Sequence, residues 1–121
     1  MFPIVIYSDK FLDAISWFMR VGGISIFPFI ILSERYRYGD PFRTNATINH
    51  ESIHFQQALE LLVIPFYILY VVEYILKSII YWDIGKGYSS ISFEREAYTN
   101  DRNMNYLNTR KRYVWVTRII K

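Results

Sequence analysis

Apolar and polar positions fall in blocks along this chain, and the blocks predict its elements. Residues 11–32 are mostly apolar, interrupted by Asp13, Arg20 and the pair Gly22-Gly23. Phe11 to Met19 reads as a short helix that the glycine pair ends. The Ile- and Phe-rich run Ile24 to Leu32 reads as a short strand. Pro28 places that strand at a sheet edge, because proline cannot donate to a ladder. The alternative, one tilted transmembrane helix over 11–32, is disfavoured by the glycines and Pro28. A polar run follows from Ser33 to Thr44, with a turn signal at Gly39-Asp40-Pro41. Thr44 or Asn45 then caps a helix reaching about Leu62, which Pro65 kinks or ends.

Residues 61–82 are apolar on nearly every side, with Glu73 and Lys77 the only charges, spaced to pair at i,i+4. A helix apolar all round must be buried in protein or lipid. The rest of a 121-residue chain can hardly wrap it, so membrane contact or burial in an oligomer is expected. Residues 83–90 read as a loop whose glycines lack the full phosphate-loop spacing. Ser89, Ser90 or Ser92 caps a last long helix over about 91–108. The pattern predicts a mainly α (α+β) chain, a single domain over 1–121. Its stretches 11–32 and 58–82 are expected to be apolar and membrane-associated.

Composition narrows the chemistry. The chain has no cysteine, which excludes disulfides and thiolate metal sites. It has two histidines, so any further protein ligand to a metal shared by both must be Asp or Glu. The net charge is +3, and basic residues gather near the C-terminus at Arg110, Lys111, Arg112, Arg118 and Lys121. With Tyr113 and Trp115 among them, an anionic lipid surface fits the apolar stretches better than nucleic acid does. Eleven Tyr, nine Phe and three Trp favour surfaces that are apolar at one end and wet at the other. Met1 to Lys10 lacks the basic start of a secretory signal. The formal sequon Asn45-Ala46-Thr47 abuts the helix that holds both histidines and reads as chance.

Both histidines lie in His50-Glu51-Ser52-Ile53-His54, an H-E-x-x-H pattern. On a helix this puts two imidazoles one turn apart on one face, able to share Zn²⁺, with Glu51 beside the open position. Thr47, His50, His54 and Gln57 recur at three- and four-residue steps and share that face. Glu60 is six residues past His54 and points elsewhere, and Glu73 has Lys77 for a partner. On the last helix Glu94, Tyr98 and Asp101 share a face, with Glu96 well off it. Alone, that group reads as a solvated helix with scattered charge.

The run H-E-x-x-H-x-Q-Q, with Phe93-Glu94-Arg95-Glu96-Ala97 some forty residues on, resembles the gluzincin clan of metallopeptidases. It is most similar to the membrane prenyl-protein proteases, their bacterial heat-shock relatives and the compact minigluzincin domains. Residues 26–106 also look like small uncharacterised bacterial proteins with similar runs. The resemblance implies a zincin-like fold: an active-site helix, an apolar second helix, a ligand-bearing third helix and a short edge strand or hairpin. It implies that His50, His54 and Glu94 bind zinc and that Glu51 is the general base for a zinc-activated water attacking a peptide bond. Tyr98 stands where the family has an Asp that holds a zinc-bound histidine. That departure leaves Tyr98 either in that supporting role or as an oxyanion donor, with Asp101 able to take the Asp's place. Ile24–Leu32 is the candidate for aligning an extended peptide by strand addition.

If 58–82 spanned a bilayer, the histidines and Glu94 would stand on opposite sides of roughly 30 Å of hydrocarbon. Either the segment bends back at Pro65, or it lies in the interface, or Glu94 is not a ligand. The favoured reading is a bend at Pro65, with residues 66–82 as a second helix and a return to helix 91–108, which makes the chain monotopic. The implied partners are a peptide or protein substrate, membrane lipid and a possible second copy of the chain, with no nucleic acid. Two rivals stand beside this reading. Glu51-x-x-His54 also satisfies the spacing of iron or manganese carboxylate bundles, which need a second such pair. A non-catalytic, membrane-associated interaction protein with a residual metal site is the other.

Overall fold

The helix that carries the histidines begins earlier than its sequence pattern predicts. In the computed structural model, which describes residues 3–10, 12, 23–35 and 39–119, helix α1 spans Pro41–Glu60. Asp40 is its N-cap, accepting from the Phe42 N–H, and Pro41 sits in the first turn, where its missing donor costs nothing. The Gly39-Asp40-Pro41 signal is thus a helix start, and neither Thr44 nor Asn45 caps. No glycine or further proline interrupts α1 before its end.

The break after α1 precedes Pro65. Leu62 and Val63 take positive φ, and the Ile64 N–H bonds back to the Leu62 carbonyl across Val63 in a tight γ-turn. Helix α2 then runs Ile64–Tyr81 with Pro65 in its first turn. It is the one described helix long and apolar enough to cross a membrane. Residues 83–90, read as loop, instead form helix α3, Ile84–Ser89, capped by Asp83. A Cβ at Gly87 would fall 2.7 Å from the Ser78 backbone, so glycine is what lets α3 lie against α2.

The expected long last helix is two. Helix α4 spans Ser92–Asn100 and helix α5 spans Tyr106–Thr109, followed by a 3₁₀ turn at Val114–Arg118. None of the three serines caps α4. Glu73 of α2 does so from across the fold, accepting from the Ser92 N–H at 2.7 Å and its hydroxyl at 2.6 Å. At the other end, Asn49 of α1 donates to the carbonyls of Asn100, Asp101 and Asn103. Those bonds satisfy the carbonyls that a turn after α4 leaves open.

A three-stranded sheet packs on the other side of α1. Strands β1 (Ile4–Tyr7), β2 (Gly23–Ile26) and β3 (Phe29–Leu32) lie in the order β1-β3-β2. β1 runs parallel to β3, with Ile4 opposite Phe29, and β2 runs antiparallel to it, with Gly23 opposite Leu32. The single edge strand expected over Ile24–Leu32 is therefore a hairpin. Pro28 serves its turn, through a cis bond with Phe27, and the central strand is β3. The short helix expected over Phe11–Met19 lies outside the described residues, apart from Leu12.

Two apolar regions hold α1 in place. Ile30, Leu32, Ile53 and Phe55 are fully buried, and the Phe27 ring stacks on Phe55 at 5.0 Å. On the opposite side Ala58, Phe66, Ile91, Phe93 and Trp115 form a core cluster. Phe93 is its hub, 4.8 Å from Phe66 and 4.7 Å from Trp115 between ring centroids. Phe93 and Glu94 are neighbours, so the packing that anchors one ring also sets the adjacent carboxylate.

Candidate metal centre

α1 buries an unusual set of polar side chains: Asn49, His50, Glu51, His54 and Gln57. Buried polar groups need partners, and α4 supplies most of them. Glu94 Oε1 lies 3.0 Å from His50 Nε2 and 3.1 Å from His54 Nε2, and the two Nε2 atoms are 3.2 Å apart. Two residues from before α2 and one from after it thus converge on one point. The return of the chain after α2 is what permits this.

Each histidine is oriented from behind. His50 Nδ1 faces Asp101 Oδ2 at 3.0 Å. His54 Nδ1 faces Gln57 Oε1 at 2.8 Å. The Gln57 amide has only one workable orientation, because its Nε2 donates to the Phe93 carbonyl at 3.1 Å and to Glu96 Oε1 at 3.0 Å. Asp101 and Gln57 Oε1 can only accept, so both rings carry hydrogen on Nδ1. Their Nε2 atoms, when neutral, are then bare lone pairs pointing at each other and at a carboxylate oxygen.

Three acceptors within hydrogen-bonding distance and no hydrogen between them repel. A cation at their centre resolves this, and so does a proton. Zinc bonds of about 2.0–2.1 Å in tetrahedral geometry set ligand atoms roughly 3.3 Å apart, close to the spacing of these donors. The residues therefore fit a divalent metal, and among the described residues they are the one His/Cys/Asp/Glu group that does.

Without a metal, the field of the site is visible in its protonation. Burial disfavours a charged His54, but Glu94 outweighs burial, with smaller help from Glu51 and Gln57, and pushes this imidazole up to about 9. Burial alone would raise Glu94, but His54 and His50 hold its carboxyl well below the usual carboxylate range. Burial raises Glu51 above its ordinary value; the histidines offset part of this and Glu94 adds to it. No hydrogen bond engages the Glu51 carboxylate among the described residues, which leaves it available for proton transfer beside the triad.

The other expected site residue, Tyr98, lays its ring against His50 at 4.4 Å between centroids and is 55% exposed. Its hydroxyl is 3.4 Å from that of Tyr88. Asp101, not Tyr98, holds the His50 nitrogen. Three residues with no role in the sequence reading also belong here. Tyr70 of α2 donates to Glu94 Oε2, leaving Oε1 to the histidines. Glu96, fully buried, anchors Gln57 and is itself held by Arg110 and by Tyr106 at 2.8 Å. Arg110 reaches on to Glu60 through two bonds of 3.0 and 2.9 Å. Gln57 was legible as part of the polar face. Glu96 and Tyr70 depend on tertiary contacts that no local spacing encodes.

No protein-family model matches the chain, and no curated protein or solved structure matches it significantly.

Proposed function

We propose that this protein is a zinc-dependent hydrolase of the gluzincin type, acting on peptide bonds. The observation that carries the reading is the convergence of His50 Nε2, His54 Nε2 and Glu94 Oε1, with both rings locked as Nδ1–H tautomers. His50, His54 and Glu94 would hold the metal, which supplies Lewis-acid activation of a water and of the scissile carbonyl.

The protein's own groups do the rest. Glu51 takes the proton from the attacking water at its carboxylate and passes it to the leaving amine. Burial raises its carboxyl above the ordinary value, which makes it a stronger proton acceptor than a solvated carboxylate. Asp101 and Gln57 keep the two imidazoles turned toward the centre. Tyr70 fixes which Glu94 oxygen faces it. Tyr98 packs its ring on His50 from an exposed position, which supports its hydroxyl as a candidate donor to a developing oxyanion.

The test separates binding from turnover. Glu51→Gln is expected to bind zinc like the wild type and to lose about 10²–10⁴-fold in hydrolysis of an unfolded, fluorogenic protein substrate. Wild-type protein loaded with zinc that cleaves no such substrate, or a Glu51→Gln variant that cleaves as well as wild type, overturns the assignment. The first of these results points to a metal-binding protein without catalysis.

A further inference from the structure

Helix α2 is inverted relative to a helix of a soluble protein. Its polar atoms face the protein. Glu73 caps α4, and Lys77 pairs with Glu73 at 2.9 Å and donates to the Ser90 and Ile119 carbonyls. Tyr70 holds Glu94. Its outer face, from Ile64 through Ile68, Val72 and Ile75 to Ile80, is exposed and apolar. At 100° per residue the exposed positions from Ile64 to Ile80 cover an arc of roughly 180°. The stripe continues past both ends of α2, into Leu62 at 82% exposure and Trp82 at 91%.

We propose that this face docks in the plane of an anionic lipid bilayer, with α2 lying along the surface of one leaflet. An 18-residue helix rises roughly 27 Å and could nearly cross the hydrocarbon. Contacts along its inner side forbid that. Phe66 packs on Phe93, Tyr70 meets Glu94, Glu73 meets Ser92 and Lys77 meets Ser90. A spanning α2 would carry α4, with buried Glu94 and Glu96, into the membrane core. Lying flat, α2 submerges only its outer face.

A bilayer fits better than a second copy of the chain. One partner helix covers a narrow seam, whereas this arc is about half the helix surface. The ends also carry interfacial groups. Tyr81 and Trp82 lie at one end, suited to the headgroup level. At the other, the Tyr113 N–H binds Glu60 at 2.7 Å, which ties the exposed pair Lys111-Arg112, next to Tyr113 in the chain, to the last residue of α1, two positions before Leu62. Neither cation has an ion-pair partner among the described residues. At the Leu62 end Arg110 is taken up by Glu60 and Glu96, which leaves Lys111 and Arg112 as the cations free to meet an anionic surface. A groove of about 500 Å³ between α2 and α3, lined by Tyr74, Ile79, Trp82 and Ile84 among others, continues the apolar face. From its edge, Tyr74, Tyr88 and Tyr98 step ring by ring, 6.3 and 6.5 Å apart, to His50. The lipid surface and the metal centre are thereby connected along one aromatic path.

The absence of cysteine makes the test clean, because Ile68→Cys, Ile75→Cys and Ile79→Cys each give a unique thiol for an environment-sensitive fluorophore. The labelled full chain is mixed with phosphatidylcholine vesicles, with and without about 30% phosphatidylglycerol, a composition that makes the surface anionic. All three labels are expected to move into the hydrocarbon boundary at the same shallow depth, and a label at exposed Asn45 to stay in water. Lys111→Ala with Arg112→Ala is expected to cut the preference for the anionic vesicles on the order of 30-fold. Unchanged circular dichroism shows that the variants are folded. Labels that stay aqueous, or that run in depth from one leaflet to the other, overturn the proposal. So does a stable dimer in solution that Ile68→Ser with Ile75→Ser converts to monomer. None of these readouts requires zinc or turnover, so the lipid surface and the hydrolase reading fail separately.

Discussion

His54 sets the behaviour of the site at the scale of single residues. Because Glu94 pushes this imidazole up to about 9, His54 carries a second proton at neutral pH in the metal-free protein. Metal binding must expel it. Zinc affinity is therefore expected to rise with pH and to level off above about 9, as read by chelator competition across that range. The sign for stability of the metal-free protein follows from the same shift. A folded pKa above the unfolded 6.5 gives stabilisation fully present below 6.5 and lost as pH rises through about 9. Glu94, shifted the other way, contributes above 4.5 and loses its contribution as pH falls. An apo protein whose melting temperature climbs between 6.5 and 9 contradicts the assigned contact. Gln57→Leu removes the acceptor that fixes His54 and leaves Glu96 with one partner fewer. It is expected to weaken zinc about 10–100-fold while the metal stoichiometry stays unchanged, measured by the same competition. Equal affinity in this variant means that Gln57 does not orient the ring.

At the scale of elements, the turns and caps place the triad. The γ-turn at Val63 and the trans cap from Glu73 send the chain out along α2 and return it into α4. Asn49, next to His50, grips the end of α4 so that Asp101 meets the His50 ring. The histidine spacing was legible because a helix repeats locally, whereas Glu94 and Asp101 were singled out through the family resemblance, since the face they share reads alone as a solvated one. The start at Asp40 and the helix α3 were not. A proline after an Asx residue signals a turn as well as a helix start. Gly85 and Gly87 look like loop residues until α2 is seen lying against them. Gly87→Ala tests that packing. Its Cβ would meet the Ser78 backbone at 2.7 Å, so a loss of about 1–3 kcal/mol in denaturant unfolding is expected. Gly85→Ala, whose Cβ meets only the Asp83 carboxylate at 3.2 Å, is expected to cost less. Equal effects would mean that α3 does not rest on α2 through Gly87.

In the molecule as a whole, α1 is the shared wall, with the β1-β3-β2 sheet on one side and the α2–α4 layer on the other. Behind the triad, Glu60, Arg110 and Glu96 tie α1, α4 and the segment after α5 into one buried ion network. Two carboxylates share one guanidinium there, an arrangement that specifies geometry more than it adds stability. The network and the contacts of Glu94 with His50 and His54 lock the same two helices together. Zinc in 100-fold excess over its Kd is accordingly expected to stabilise the fold by about 2.7 kcal/mol, or on the order of 10 °C. The order of histidine helix, apolar helix and Glu94 helix matched the sequence pattern, whereas the single strand expected over Ile24–Leu32 is a hairpin with β3 at the sheet centre. The inverted α2 did not follow from it, since a segment apolar on nearly every side gives no hint which way its two charges turn.

Whether His50, His54 and Glu94 hold one metal together is read from metal content. Wild type, His54→Ala and Glu94→Ala are purified side by side and assayed for zinc, iron and manganese by plasma mass spectrometry. About one zinc per chain in the wild type, lost in both variants, is the expected result. A wild type without bound metal after zinc loading, or a Glu94→Ala variant that keeps its zinc, contradicts the account.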